Sequence, residues 1–156
     1  MALNPVSIWA NNPIEFVRAM WPDVELEPWQ KEFLEAAVKE RRVSARSGHG
    51  VGKTMAITIL CLWFMVTRQN GGILIVANSQ DQLKDNNWTE FKKWVSRMPE
   101  CWGRLFEVQA KHVYFEPMQS FCTARTATKE NPEAIQGFHP DYPLIIFDEA
   151  SGIPDV

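Results

Sequence analysis

Residues 47–54 read Ser47-Gly48-His49-Gly50-Val51-Gly52-Lys53-Thr54, and the chain takes up related chemistry at Leu144-Ile145-Ile146-Phe147-Asp148-Glu149. The first stretch is a glycine-rich turn that ends in Lys-Thr. Backbone N–H groups converge on phosphate oxygens only where the chain turns tightly, and Gly48, Gly50 and Gly52 supply turns that a Cβ resists. In such a loop the N-terminus of the following helix adds partial positive charge. Lys53 then reaches the β- and γ-phosphates, and the Thr54 hydroxyl ligates Mg²⁺. The pattern G-x-x-x-x-G-K-[ST] asks for Gly first, where this chain has Ser47, a small polar residue compatible with the turn.

Glycines alone also make structural turns, so the context decides. Arg42–Ala45 reads as a β-strand leading into the loop, and the apolar run Met55–Val66 as the buried helix leading out of it. That is the strand-loop-helix setting the motif requires. Leu144–Phe147 reads as a short buried parallel strand that delivers Asp148 and Glu149 to its carboxyl end, where ligands bind in open α/β sheets. Asp148 is expected to hold the Mg²⁺ hydration shell and Glu149 to polarise the attacking water. An Asp-Glu pair in isolation is an ordinary surface feature. Paired with the upstream loop, it completes a site for ATP and Mg²⁺.

The chain of 156 residues is about one domain. It is 46% hydrophobic and carries a formal net charge of −3, which argues against a whole-molecule electrostatic grip on nucleic acid. Arg41, Arg42 and Arg46 lie near the loop, and Lys92 and Lys93 read as a solvated helix face. Cys61, Cys101 and Cys122 are widely spaced and lack His partners, which excludes a zinc pattern and points to reduced thiols. Met55–Val66 falls short of the roughly 18 apolar residues of a membrane span. The opening Met1-Ala2-Leu3-Asn4-Pro5 has no export signal.

Along the chain, Pro13 is placed to start a helix that runs to Pro22, and a second helix is expected from Pro28 to Lys39. Trp29 is assigned to its core-facing side with Phe33, Leu34, Ala37 and Val38. Gln69-Asn70-Gly71-Gly72 reads as a turn before a buried strand, Ile73–Ala77. Ser79 reads as the N-cap of a helix reaching Pro99. Leu105–Val108, Val113–Phe115 and Ser120–Ala124 form an antiparallel-looking excursion, and Asn131-Pro132-Glu133 a helical turn. The order is that of an α/β protein.

Glu27-Pro28-Trp29-Gln30, Ala45-Arg46-Ser47, Gly137-Phe138-His139-Pro140 and the run Asp148-Glu149-Ala150-Ser151-Gly152-Ile153-Pro154 give the chain a further likeness. Together with the loop they resemble the ATPase domain of the large terminase subunits of tailed double-stranded DNA phages. The resemblance implies a three-layer P-loop NTPase fold, with a mainly parallel central sheet flanked by helices. It divides the chain into a helical segment, 1–40, carrying an adenine-recognition motif, and an ATPase core, 41–156. It gives Gln30 to adenine, residues 47–54 to the phosphates, and Arg46 to the γ-phosphate as a catalytic residue beside Lys53 and Glu149. Thr54 and Asp148 become the metal residues, and Arg125 a weaker candidate for an arginine offered to a neighbouring subunit.

The implied partners are double-stranded DNA, a portal protein and a small terminase subunit, with the subunits in a homo-oligomeric ring in the bacterial cytoplasm. The family continues past the Asp-Glu strand into a sensor or coupling strand and a nuclease domain. The fold is therefore expected to be incomplete, with a vacant slot in the middle of the sheet, between the P-loop strand and the Asp-Glu strand. Two alternatives stand: a helicase-like nucleic-acid translocase, and a truncated nucleotide-binding chain without catalytic output.

Overall fold

A computed structural model describes residues 4–45, 52–77, 79, 87–127 and 136–148. Three helices open the chain, α1 (Pro5–Trp9), α2 (Pro13–Met20) and α3 (Pro28–Lys39). Each begins with Pro at its first turn, where a missing N–H costs nothing and the fixed φ suits the helix. The short α1 went unanticipated, although Asn4 caps it by accepting the Val6 N–H at 3.1 Å. Next come α4 (Lys53–Thr67) and β1 (Gly71–Ala77). After α5 (Thr89–Ser96) and α6 (Glu100–Gly103) follow β2 (Phe106–Val108), β3 (His112–Phe115), β4 (Ser120–Thr126) and β5 (Tyr142–Phe147).

The sheet order is β2-β3-β4-β1-β5, with β1 parallel to both β4 and β5 and the β2-β3-β4 pairs antiparallel. The expected α/β class and mainly parallel centre hold. Every residue of β1 is buried. Ile73, Ile75 and Ala77 face the main core with α4 and α5, while Leu74 and Val76 face a smaller cluster closed by Ala127 and Phe138. Among the described residues the helices cover the first of these faces.

Indole anchors tie α1 and the end of α2 to that core. Trp63 Nε1 donates to the Trp9 carbonyl at 2.6 Å, and Trp21 Nε1 to the Trp94 carbonyl at 3.0 Å. Edge-on ring contacts link Trp9 to Phe16, Phe16 to Trp21, and Trp21 to Trp94. Buried indoles are large apolar bodies whose one donor must be satisfied, and the donors of Trp63 and Trp21 cross between elements. Cys61 on α4 and Cys122 on β4 are also buried in this core. Burial and a hydrogen bond with Cys61 push the Cys122 thiol well up, so it stays protonated as a small core residue.

Four expectations are corrected. Arg42–Ala45 forms no strand and is exposed, because an extended run becomes a strand only when a neighbour takes its hydrogen bonds. Gly71 and Gly72 belong to β1 rather than to a turn. A Cβ on Gly72 would lie 2.7 Å from the Pro140 ring, so the strand needs Gly there to admit the segment crossing it. The turn itself is Arg68–Asn70, with Asn70 at φ 54°. Trp29 is half-buried and stands outside the core. The fourth concerns β5, which is parallel as expected but not buried: Tyr142, Ile145 and Phe147 are 54%, 37% and 41% exposed. Among the described residues β5 is an edge strand with β1 as its one neighbour, which leaves its outer row of backbone groups without a ladder partner. Asn131-Pro132-Glu133 and residues 80–86 of the helix assigned to Ser79 lie outside the described residues.

Candidate nucleotide site

Two dimensions bring the site together. The 15 residues of α4 span about 22 Å at a helical rise, and the seven residues of β1 about 23 Å at a strand rise. A three-residue turn, 68–70, reverses the chain between them, so the start of α4 lies level with the end of β1. Because β5 is parallel to β1 in the register Val76↔Phe147, its end lies there too. The Asp148 N–H donates to the Val76 carbonyl at 3.0 Å and pins that residue beside the end of β1. Gly52, Lys53, Thr54 and Asp148 therefore share the carboxyl end of the parallel sheet, where α/β proteins hold ligands.

The start of α4 suits an anion. Gly52 is its N-cap, in the left-handed region at φ 79° and without a side-chain cap. The first-turn N–H groups have no partner within the helix, and no acidic residue in that turn offsets the dipole. Thr58 Oγ1 donates to the Thr54 carbonyl at 2.7 Å, one turn back along α4. The fit to Mg²⁺ rests on donor chemistry: a hydroxyl at Thr54 and a carboxylate at Asp148 are hard oxygen donors, of the kind that binds Mg²⁺ together with phosphate oxygens and water. Among the described residues no group of three or more His, Cys, Asp or Glu side chains is placed to hold a metal. Phosphate-assisted Mg²⁺ needs no such cage.

Of the residues assigned from sequence, Arg46, Ser47, Gly48, His49, Gly50, Val51 and Glu149 lie outside the described ones. Gln30 is described, and its surroundings are unexpected. It is 3% exposed, and its Nε2 donates to the Gly52 carbonyl at 3.2 Å and lies 3.7 Å from Met55 Sδ. Its Oε1 accepts the Glu27 N–H at 2.9 Å. Sequence reasoning passed over Glu27 and Met55. The Glu27-x-x-Gln30 spacing ahead of an apolar stripe was the available signal for the first, since a Gln at the third helical position folds back on the N-cap. Arg125, on β4 opposite Val76, donates to the Gln136 carbonyl at 2.9 Å within its own chain.

A family model described as type III restriction enzyme, res subunit, matches residues 23–151. The probable large terminase subunit of Enterobacteria phage P7 is 30% identical over 136 residues, which cover 81% of this chain and 27% of that protein. The crystal structure of the HK97 bacteriophage large terminase aligns with a TM-score of 0.65 at 17% identity, over 89% of this chain and 37% of that one; at this identity the likeness concerns the fold. The chain spans about a quarter of the P7 protein's length. It belongs to the type III restriction enzyme res subunit family of P-loop proteins, and in sequence and fold it is similar to phage terminase large subunits.

Proposed function

We propose that the chain is the ATP-binding and ATP-hydrolysing part of a phage large terminase, a motor that drives double-stranded DNA into a procapsid. The observation that carries the reading is the meeting of Gly52-Lys53-Thr54 and Asp148 at one end of the parallel sheet, in a chain similar to the P7 large subunit. The loop 47–52 and the first-turn N–H groups of α4 would cradle the phosphates. Lys53 would counter charge on the β- and γ-phosphates, with Arg46 beside the γ-phosphate. Thr54 and Asp148 would hold Mg²⁺, which when bound neutralises charge on the transferred phosphoryl group. Glu149, next to Asp148, would orient water for in-line attack on the γ-phosphate.

On this reading the partners are double-stranded DNA, a portal protein and a small terminase subunit. The motor would act as a homo-oligomeric ring in the cytoplasm of the host cell. The family match supports a second reading, a helicase-like translocase without a packaging role.

In the full-length protein, Glu149→Gln is expected to lower ATP turnover by about 10²-fold or more while ATP still binds, and Lys53→Ala to weaken binding itself. Undiminished turnover in Glu149→Gln removes that residue from its role. ATP-dependent DNA unwinding without encapsidation by the wild type selects the translocase.

A further inference from the structure

Among the described residues one buried side chain has no hydrogen-bond partner in the protein. Asn87 is 1% exposed, and neither its Oδ1 nor its Nδ2 is bonded. A carboxamide offers two donor hydrogens and an acceptor oxygen, and one that is buried unpaired forfeits the hydration that water gave it. Such groups are few in folded proteins, and each calls for a reason. Asn87 carries a second irregularity. With Trp88 it lies in a π turn that runs directly into α5, a wider turn than the α-helix makes and one that recurs at functional sites.

The far end of α5 is held firmly. Phe91 and Trp94 are buried in the main core that α5 shares with α4. The Trp94 carbonyl accepts the Trp21 indole N–H at 3.0 Å, and Trp94 Nε1 donates to Glu90 Oε2 at 2.8 Å. Arg97 lies over the Trp94 ring, 4.6 Å from its centroid, and donates to Asp23 at 3.3 Å. At the start of the helix the balance differs. Trp88 packs beside Phe91 with ring centroids 5.5 Å apart, but the amide next to it gains nothing from being inside. Local opening begins where native contacts contribute least. In α5 that place is residue 87, because an Asn87 amide that reaches water recovers the hydrogen bonds it lacks in the core.

We infer that the π turn at Asn87 and Trp88 is a built-in hinge: the start of α5 opens from the core there, while its far end, from Trp94 to Arg97, stays docked. α5 packs on α4, which begins at Lys53 and Thr54, so the opening changes the support on which those two residues stand. The use of the hinge in ATP hydrolysis rests on the reading proposed above, and the hinge itself does not. A leucine at position 87 has the same branched skeleton without the polar atoms, and it closes the hinge.

Hydrogen exchange of the full-length protein, read by mass spectrometry on peptides covering residues 88–96, tests the hinge. In Asn87→Leu these amides are expected to exchange about tenfold more slowly than in the wild type. In Asn87→Asp, which buries a charge, they are expected to exchange faster by at least as much. ATP turnover is expected to fall several-fold in Asn87→Leu with ATP affinity unchanged, since a closed hinge holds α4 in one setting. Faster exchange in Asn87→Leu overturns the inference, because the amide would then have a partner that leucine cannot replace. Unchanged exchange in both variants overturns it too. Slower exchange with undiminished turnover shows a weak point of the fold that hydrolysis does not use, and overturns the hinge as a working device. A wild type that hydrolyses no ATP removes the nucleotide-site reading, while the exchange rates still decide whether α5 opens at residue 87.

Discussion

β1 and β5 lie side by side in parallel register, and both are made almost wholly of apolar residues, Gly-Gly-Ile-Leu-Ile-Val-Ala beside Tyr-Pro-Leu-Ile-Ile-Phe. Yet Leu74 and Val76 are fully buried, while their register partners Ile145 and Phe147, on the same face, are 37% and 41% exposed. The two strands differ in neighbours rather than in composition. β1 has a strand on each side, α4 on one face, and Phe138 with Ala127 on the other. Among the described residues β5 has β1 alone, and the cover over Leu74 and Val76 does not bury the outward side chains of β5. An apolar run states what a strand can tolerate, and the rest of the molecule decides how much of it is covered.

The largest test of that contrast is a charge in the closed strand. Ile75→Asp places a carboxylate with no partner at the centre of the core, a cost of more than about 4 kcal/mol. Since whole domains are stable by only about 5–15 kcal/mol, little or no folded protein is expected by circular dichroism or urea titration. A variant that unfolds within about 1 kcal/mol of the wild type would show that β1 is not the closed strand described.

A smaller effect is expected at Gly72. Valine ordinarily favours a strand over glycine, but here the new Cβ meets the Pro140 ring at 2.7 Å and Phe121 Cζ at 2.9 Å. Gly72→Val is therefore expected to destabilise the chain by about 1–3 kcal/mol, the usual range for overpacking. Stabilisation would show that the segment 138–140 yields, and that the second face of β1 is as loosely covered as that of β5.

Much of the fold was legible because local patterns and tertiary neighbours agree. The stripe from Phe33 to Val38 with Pro28 at its start marked α3, and the run after Thr54 marked α4. The strand expected at Arg42–Ala45 and the burial expected of Leu144–Phe147 failed for a shared reason: neither run records whether a neighbour is present on each side. The site divides likewise. Lys53, Thr54 and Asp148 were assigned by motif and strand polarity; in the structure Lys53 and Thr54 open α4 and Asp148 follows β5, and their roles are proposals. The burial of Gln30 was hidden because its partner is a backbone carbonyl, and carbonyls carry no residue identity for a motif to show.

The smallest expected effect concerns the open strand itself. Ile145→Lys puts a flexible charged side chain where the native one is 37% exposed, so the ammonium reaches water while its stem covers part of the same surface. The cost in the 156-residue chain is expected to be near 1 kcal/mol by urea titration, several-fold less than for Ile75→Asp. Self-association should respond more than stability does. An apolar strand whose outer edge has no ladder partner among the described residues can pair with another copy, and lysine on an edge strand opposes that pairing. Sedimentation velocity across a concentration series should show the wild type associating at concentrations where Ile145→Lys stays monomeric. If Ile145→Lys instead unfolds the chain as Ile75→Asp does, then Ile145 is closed in by a neighbour, and the contrast between the two strands fails where it is most exposed to test.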